Sequence, residues 1–267
     1  MSINRVHDIK RKVQISIPFN MLHDTYLERF LTERLNPEIS IGAEDLDRFE
    51  RVDFIRIADK LHGRSLRITL HGPFMDLAAG STDKDVRAIT RRRLEQLLDL
   101  VPVFEPHSVV CHAGYDWRRY SYNPAAWYKR SLELWSWLAH KLTAAGTRLM
   151  LENVYEKDPQ EMLPLFEPLG ELGVRFCLDA GHQAAFGRAP VERWCRVLAP
   201  YIGQLHLHDN QGSGDDHLGL GKGSIDFKGL LTTVKSVCAR QPVVTLEVHH
   251  EPDLMPSLAY LEHIWPW

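Results

Sequence analysis

Disulfide chemistry has little to work with in this chain. Only four cysteines occur (Cys111, Cys177, Cys195 and Cys238), far apart and without a CxxC pair, so no disulfide framework is expected. Cys111 and Cys177 fall inside apolar runs, where a reduced thiol behaves as a small buried hydrophobe. No stretch approaches the ~20 apolar residues of a membrane span. The opening segment, MSINRVHDIKRKVQISIPF, has no apolar signal core, so no membrane association is expected and the cytoplasm is the expected location. No GxGxxG follows the first apolar run, which removes the main sequence argument for a dinucleotide-binding sheet. Neither sign of charge is in excess: the net charge is −3 with 14 histidines taken as neutral. Nucleic-acid binders usually carry a basic stripe, so nucleic acid is disfavoured as a partner. No low-complexity linker or composition shift marks a boundary, and residues 1–267 read as one domain. That length suits a closed parallel barrel, roughly 250 residues.

What the chain does have is a repeated unit: a short β-branched or apolar run, a polar loop, then a segment with helical periodicity. The runs are VQISIPF (13–19), EISIG (38–42), SLRITLHGPF (65–74), SVVCHAGY (108–115), RLMLENVYE (148–156), VRFCLDAGH (174–182), IGQLHLHDN (202–210) and VVTLEVHH (243–250). Between them, 124–143 places Trp127, Leu134, Trp135, Leu138 and Leu142 on one helical stripe. Residues 83–99 place Val86, Ile89 and Leu97 similarly, with Arg91, Arg92 and Arg93 outward. Eight such units predict an α/β fold, a single-domain (β/α)8 TIM barrel.

The last six runs share a second property. Each ends in a side chain able to ligate metal: His71, His112, Glu152, Asp179, His206 and Glu247, spaced 41, 40, 27, 27 and 41 residues apart. The apolar stretch always precedes the ligand type, which puts these side chains at the C-terminal mouth, where barrel enzymes build their sites. Imidazoles mixed with carboxylates suit zinc, with manganese or iron next, rather than calcium. Glu152 and Glu247 stand in otherwise apolar strands, where an unpaired charge would be costly to bury; a cation removes that cost, as an arginine would. His182, Asp215 and His217 lie in loops just beyond the strands.

Each residue also has a plain structural alternative. Asp179 is placed to cap the following helix, His71 to close a turn, and Asp215 and Asp216 are ordinary loop residues. His206 and His208 share strand parity, so either fits as ligand, as does either aspartate. Tyr115, Trp117 and Tyr120 either line a pocket or pack on one another. The joint placement at six strand ends is what these alternatives leave unexplained.

The motifs LHGPF, VVCHAG, LENVYE, CLDAGH, QLHLHDN…DDHLGLGKGSIDF and TLEVH resemble the xylose isomerase-like barrel superfamily over about residues 65–250. That superfamily includes endonuclease IV and many sugar-phosphate isomerases and epimerases. The resemblance implies one of two chemistries. In the isomerase and epimerase branch, one divalent metal is held by a set matching Glu152, Asp179, His206 and Glu247, and the two glutamates relay a proton between adjacent carbons. In the endonuclease IV branch three zinc ions are used. There His71, His112 and Glu152 match the first site, Glu152 with Asp179, His206 and Glu247 the second, and His182, Asp215 and His217 the third. The Asp-x-His of Asp215 and His217 is not needed by the one-metal branch, which favours a metal-dependent phosphodiesterase with Glu152 and Glu247 as catalytic carboxylates. The mouth segments GAEDLDRFE, PFMDLAAGSTDKD and VYEKDPQEM are acidic, a poor setting for a nucleic-acid backbone. A small, phosphorylated substrate is therefore expected rather than abasic DNA. Segments HGPFMDLAAGSTD and VCHAGYDW also resemble the cobamide-remodelling phosphodiesterases of the same superfamily.

Overall fold

A computed structural model describes residues 3–267. Eight parallel strands close into a barrel in chain order. They are β1 (Gln14–Pro18), β2 (Asn36–Ser40), β3 (Thr69–His71), β4 (Ser108–His112), β5 (Arg148–Glu152), β6 (Arg175–Asp179), β7 (Ile202–Leu207) and β8 (Val243–Leu246). Closure comes from β1 against β8, with Gln14 opposite Thr245 and Ile15 opposite Leu246. Helices separate the strands, as the (β/α)8 reading requires.

Strand alternation sorts the side chains. Leu70, Val109, Cys111, Leu149, Leu151, Phe176, Leu178, Leu205, Leu207, Val244 and Leu246 join the apolar shell beneath the helices. The alternate positions fill the barrel's interior: Val110, Met150 and Cys177 form a small apolar plug. Glu38, Thr69, Ser108, Gln204 and Thr245 join in a buried hydrogen-bond network. The next inward positions along β3 to β8 carry the histidines and carboxylates. Parallel register sets them side by side, with His112 opposite Glu152 and Asp179 opposite His206.

The helix Pro124–Ala144 starts at Asn123, whose side chain accepts from the Ala126 N–H, and buries Trp127, Leu134, Trp135, Leu138 and Leu142 as its stripe predicts. The helix Lys84–Leu98 requires a correction. Thr90, Leu94 and Leu97 form its buried face, whereas Ile89 is 47% exposed. The burial runs through i, i+4 and i+7, and Ile89 lies one position off that stripe. Arg91 and Arg92 point outward, and Arg93 forks onto the Asp47 carboxylate. Among the described residues no helix is long and apolar enough to cross a membrane.

Candidate metal centre

All nine side chains singled out in the sequence gather at the C-terminal mouth. Glu152, 1% exposed, is their hub. Its Oε2 lies 3.1 Å from His71 Nε2, 3.9 Å from His112 Nε2 and 3.5 Å from His206 Nδ1, and its Oε1 lies 3.1 Å from His182 Nδ1. His206 Nδ1 is also 3.8 Å from Asp179 Oδ2 and 3.4 Å from Glu247 Oε1. Asp215 Oδ2 sits 3.3 Å from both His182 Nε2 and His217 Nε2. Three donor sets result: His71, His112 and Glu152; Glu152, Asp179, His206 and Glu247, which shares Glu152 with the first; and His182, Asp215 and His217, which adjoins them through the contact of His182 with Glu152.

The pairs left open in the sequence separate here. His206 and His208 both enter the mouth, but on different sets. His206 faces Glu152 and Glu247, whereas His208 joins His182, Asp215 and His217. His208 stacks on His217 with ring centroids 3.8 Å apart, and its Nε2 is 3.2 Å from Asp179 Oδ1. Asp215, not the exposed Asp216, faces the histidines. Asp179 does cap its helix, Oδ1 accepting from the His182 N–H at 2.6 Å, while Oδ2 is left over and turned to the cluster. The aromatic loop also divides: Tyr115 packs on Trp127 and Tyr128, and Tyr120 on Trp127, whereas Trp117 stays 37% exposed.

Neighbours of the cluster set the tautomers. The Nδ1 atoms of His71, His182 and His217 lie 2.8, 3.0 and 2.9 Å from the backbone oxygens of Gly72, Asn153 and Glu247. A carbonyl can only accept, so each Nδ1 donates its N–H, and each Nε2 is the nitrogen turned to the cluster, able to ligate a cation once it gives up its proton. His206 is reversed: its Nε2 lies 2.7 Å from Glu38 Oε1, which frees Nδ1. Glu38, wholly buried in the barrel, escaped the sequence reading because it lies within β2 rather than at a strand end. A carboxylate between Pro37 and Ile39 in a strand-like run was the available signal.

The loop after β7 is held by a second carboxylate. Asp209 accepts the N–H groups of Asn210 and Ile225 on one oxygen and of Gly221 and Gly223 on the other. It also exchanges backbone hydrogen bonds with Leu218, fixing His217 in a left-handed conformation at φ +47°. A Cβ on Gly181 would collide with the His208 ring, which accounts for the glycine in DAGH. Asn153 clamps the backbone of Asp179, accepting its N–H at 2.9 Å and donating to its carbonyl at 3.0 Å.

Electrostatics keep these carboxylates ionised. Burial alone would raise Glu152 and Glu247, but the His206 imidazole and, for Glu152, His112 hold both below the usual carboxylate range. Burial likewise opposes the ionisation of Asp215, and hydrogen bonds from His182 and His217 outweigh it. Burial pushes His112 down to about 3. His217 is raised to about 8, its contact with Asp215 overcoming burial.

The donor set fits divalent metal ions. Asp179 Oδ2, His206 Nδ1 and both ring nitrogens of His208 are buried without a hydrogen-bond partner in the protein, and unsatisfied polar atoms of this kind are rare away from ions and water. Here they all lie at the C-terminal mouth, among the histidines and carboxylates of the cluster. A cleft of about 440 Å³ at the other end of the barrel, lined by Arg67, His107 and Arg148 among others, contains none of them.

Comparison with known proteins agrees with this architecture. Residues 32–264 match the xylose isomerase-like TIM-barrel family, and the chain belongs to it. The family is one of metal-dependent enzymes. A probable endonuclease 4 of Mycobacterium leprae is 29% identical over 207 residues, covering 74% of this chain and 80% of that protein. Among solved structures, a Thermus thermophilus protein soaked with ZnCl2 superposes with a TM-score of 0.82 at 27% identity, over 95% of this chain and 98% of that one. A D-tagatose 3-epimerase-like protein shares the fold, with a TM-score of 0.80 at 22% identity over 95% and 96% of the two chains.

Proposed function

We propose that this protein is a metal-dependent phosphodiesterase acting on a small molecule. The observation that carries the reading is the set His182, Asp215 and His217. It stands beyond the four side chains that a one-metal isomerase needs, yet is joined to them through the 3.1 Å approach of His182 to Glu152. His71, His112 and Glu152 hold one ion; Glu152, Asp179, His206 and Glu247 hold a second; His182, Asp215 and His217 hold a third, with His208 stacked against them. When bound, such ions, zinc first among the candidates, neutralise charge on phosphate oxygens and acidify water, worth several kcal/mol in the transition state.

The protein's own part is to keep this array ordered. Glu152 and Glu247 remain ionised and so supply the negative charge that bound cations require. The backbone carbonyls behind His71, His182 and His217 stop those rings from turning. The similarity to an endonuclease 4 supports hydrolysis. A second reading, a sugar or sugar-phosphate isomerase or epimerase with one metal, is favoured by the completeness of the Glu152, Asp179, His206 and Glu247 set and by the epimerase fold neighbours.

The test pairs metal analysis with turnover. Protein purified without chelator should carry close to three ions per chain and cleave a chromogenic phosphodiester. Asp215→Ala or His217→Ala should each remove about one ion and abolish cleavage. Unchanged metal content in both variants, with ketose interconversion by the parent protein, refutes the hydrolase and establishes the isomerase. Cleavage of an abasic duplex alone would reassign the substrate to DNA.

A further inference from the structure

The mouth is not uniform, and the side beyond His182 is built differently from the rest. On the helix Ala180–Phe186, Phe186 lies four residues after His182 and stacks on its ring at 6.2 Å and 27°. Tyr155, from the loop after β5, packs on Phe186 at 5.2 Å. The Arg118 guanidinium covers Tyr155 at 4.6 Å, and Lys157 lies over the exposed face of Trp117. The Lys157 carbonyl accepts the Arg188 N–H at 2.9 Å, which ties the two cationic residues together. A wall of rings thus runs outward from the candidate metal centre, edged with positive charge.

The charges on this rim are unevenly spent. Asp116 pairs with Arg118 at 2.8 Å and with Arg119 at 3.6 Å, and Asp158 pairs with Arg193. Glu161 accepts the Lys157 backbone N–H. Among the described residues no carboxylate lies within ion-pairing reach of the Lys157 ammonium or the Arg188 guanidinium, so both cations are unpaired. Desolvation, and then the nearby Arg188 and Arg118, lower Lys157 from its ordinary pKa, against the opposing pull of Glu161 and Asp116. Within VYEKDPQEM, Asp158 is taken by Arg193, and the Glu156 and Glu161 carboxylates accept backbone N–H groups, so Lys157 and Arg188 are the free charges beside the aromatic wall.

We propose that this rim is a substrate subsite for a nucleoside-type phosphate ester, with a planar aromatic ring against the Tyr155–Phe186 wall and anionic oxygens facing Lys157 and Arg188. Ring faces attract another π-system, and free cations beside them attract phosphate. A bare sugar phosphate would use the cations and leave the rings unused. For its reaction the subsite rests on the hydrolase reading; its binding can be tested without turnover.

The experiment is calorimetric titration of the zinc-loaded protein with adenosine 5′-phosphate and with ribose 5-phosphate, which carries a free anomeric hydroxyl where the nucleotide carries its base. The nucleotide should bind about tenfold more tightly or better, the range of one base–aromatic stack. Tyr155→Ala should bring the affinity ratio close to one, and Tyr155→Phe, which keeps the ring, should restore it. Lys157→Ala with Arg188→Ala should weaken both ligands and flatten their salt dependence. Equal affinities in the parent protein, or a ratio that survives Tyr155→Ala, overturn the proposal. A base preference lost in Tyr155→Ala without cleavage of any phosphodiester would leave the subsite standing and refute the hydrolase; cleavage without base preference would do the reverse.

Discussion

Glu38→Gln is the most discriminating change to make behind the metal centre, because it alters one atom and removes the negative charge that faces His206 Nε2 at 2.7 Å. Glu38 Oε2 accepts from Thr69 Oγ1 at 2.7 Å, from Gln204 Nε2 at 2.5 Å and from Thr245 Oγ1 at 3.2 Å. A glutamine oxygen in that position keeps all three. Its nitrogen then replaces Oε1, 2.7 Å from His206 Nε2, and brings a donor where an ionised acceptor stood. His206 can answer only by moving its proton to Nδ1, the atom facing Glu152, Asp179 and Glu247. The ligand lone pair is thereby withdrawn from the second donor set without disturbing the fold. A close polar contact to a charged group is worth about 1.5–3 kcal/mol. At about 2–4 °C per kcal/mol, the metal-free protein should melt about 3–12 °C lower. Zinc affinity, measured by titration against a competing chelator, should fall about 10–100-fold, as for other residues that orient a ligand. Glu38→Ala instead strands three donors and should cost about 3–5 kcal/mol, so the two variants separate packing from ligand orientation. Parent-like zinc affinity in Glu38→Gln would refute the tautomer argument.

Glu152→Gln removes the charge shared by His71, His112, His182 and His206; turnover should fall about 100-fold or more, with an unchanged circular-dichroism spectrum, and retained turnover with full metal content would move the chemistry elsewhere. The metal-free protein should also show a stability maximum near neutrality. His217 is raised from 6.5 to about 8, so its contribution is fully present below pH 6.5 and is lost as pH rises through about 8. His182 and His206 are raised in the same direction: burial opposes the shift, but it is outweighed by Asp179 for His182 and by neighbours including Glu247 for His206. The His217 gap corresponds to about 2 kcal/mol, so melting of chelator-treated protein should drop by several degrees between pH 6.5 and 9. On the acid side the sign reverses, since His112, held down to about 3, resists the proton that its unfolded form accepts. Zinc affinity should rise over pH 6.5–9, because binding expels protons from raised imidazoles. A melting temperature that climbs over that range in metal-free protein would contradict these assignments.

The sequence by itself determined the barrel and its mouth. Eight apolar runs with helical segments between them leave few other ways to bury both faces of a parallel sheet. A ligand-type side chain at the end of six runs can point only towards the C-terminal face, because strand period and direction are local properties. His71, His112, Glu152, Asp179, His206 and Glu247 were legible for that reason. Ile89 misled because one apolar residue beside a helical stripe looks like a member of it until a neighbouring helix fixes the rotation. Tertiary structure alone decided what depends on distances between strands far apart in the chain. It put Glu38 behind His206, 168 residues away in sequence, and sent His206 and His208 to different donor sets despite their shared parity. It selected Asp215 over Asp216 through the Asp209 hub that folds the loop back on itself. The same is true of the rim, where Asp116 and Asp158 are ion-paired, Glu156 and Glu161 turn to backbone N–H groups, and Lys157 and Arg188 are left unpaired. Composition counts charges, but only the folded chain determines which charges find a partner.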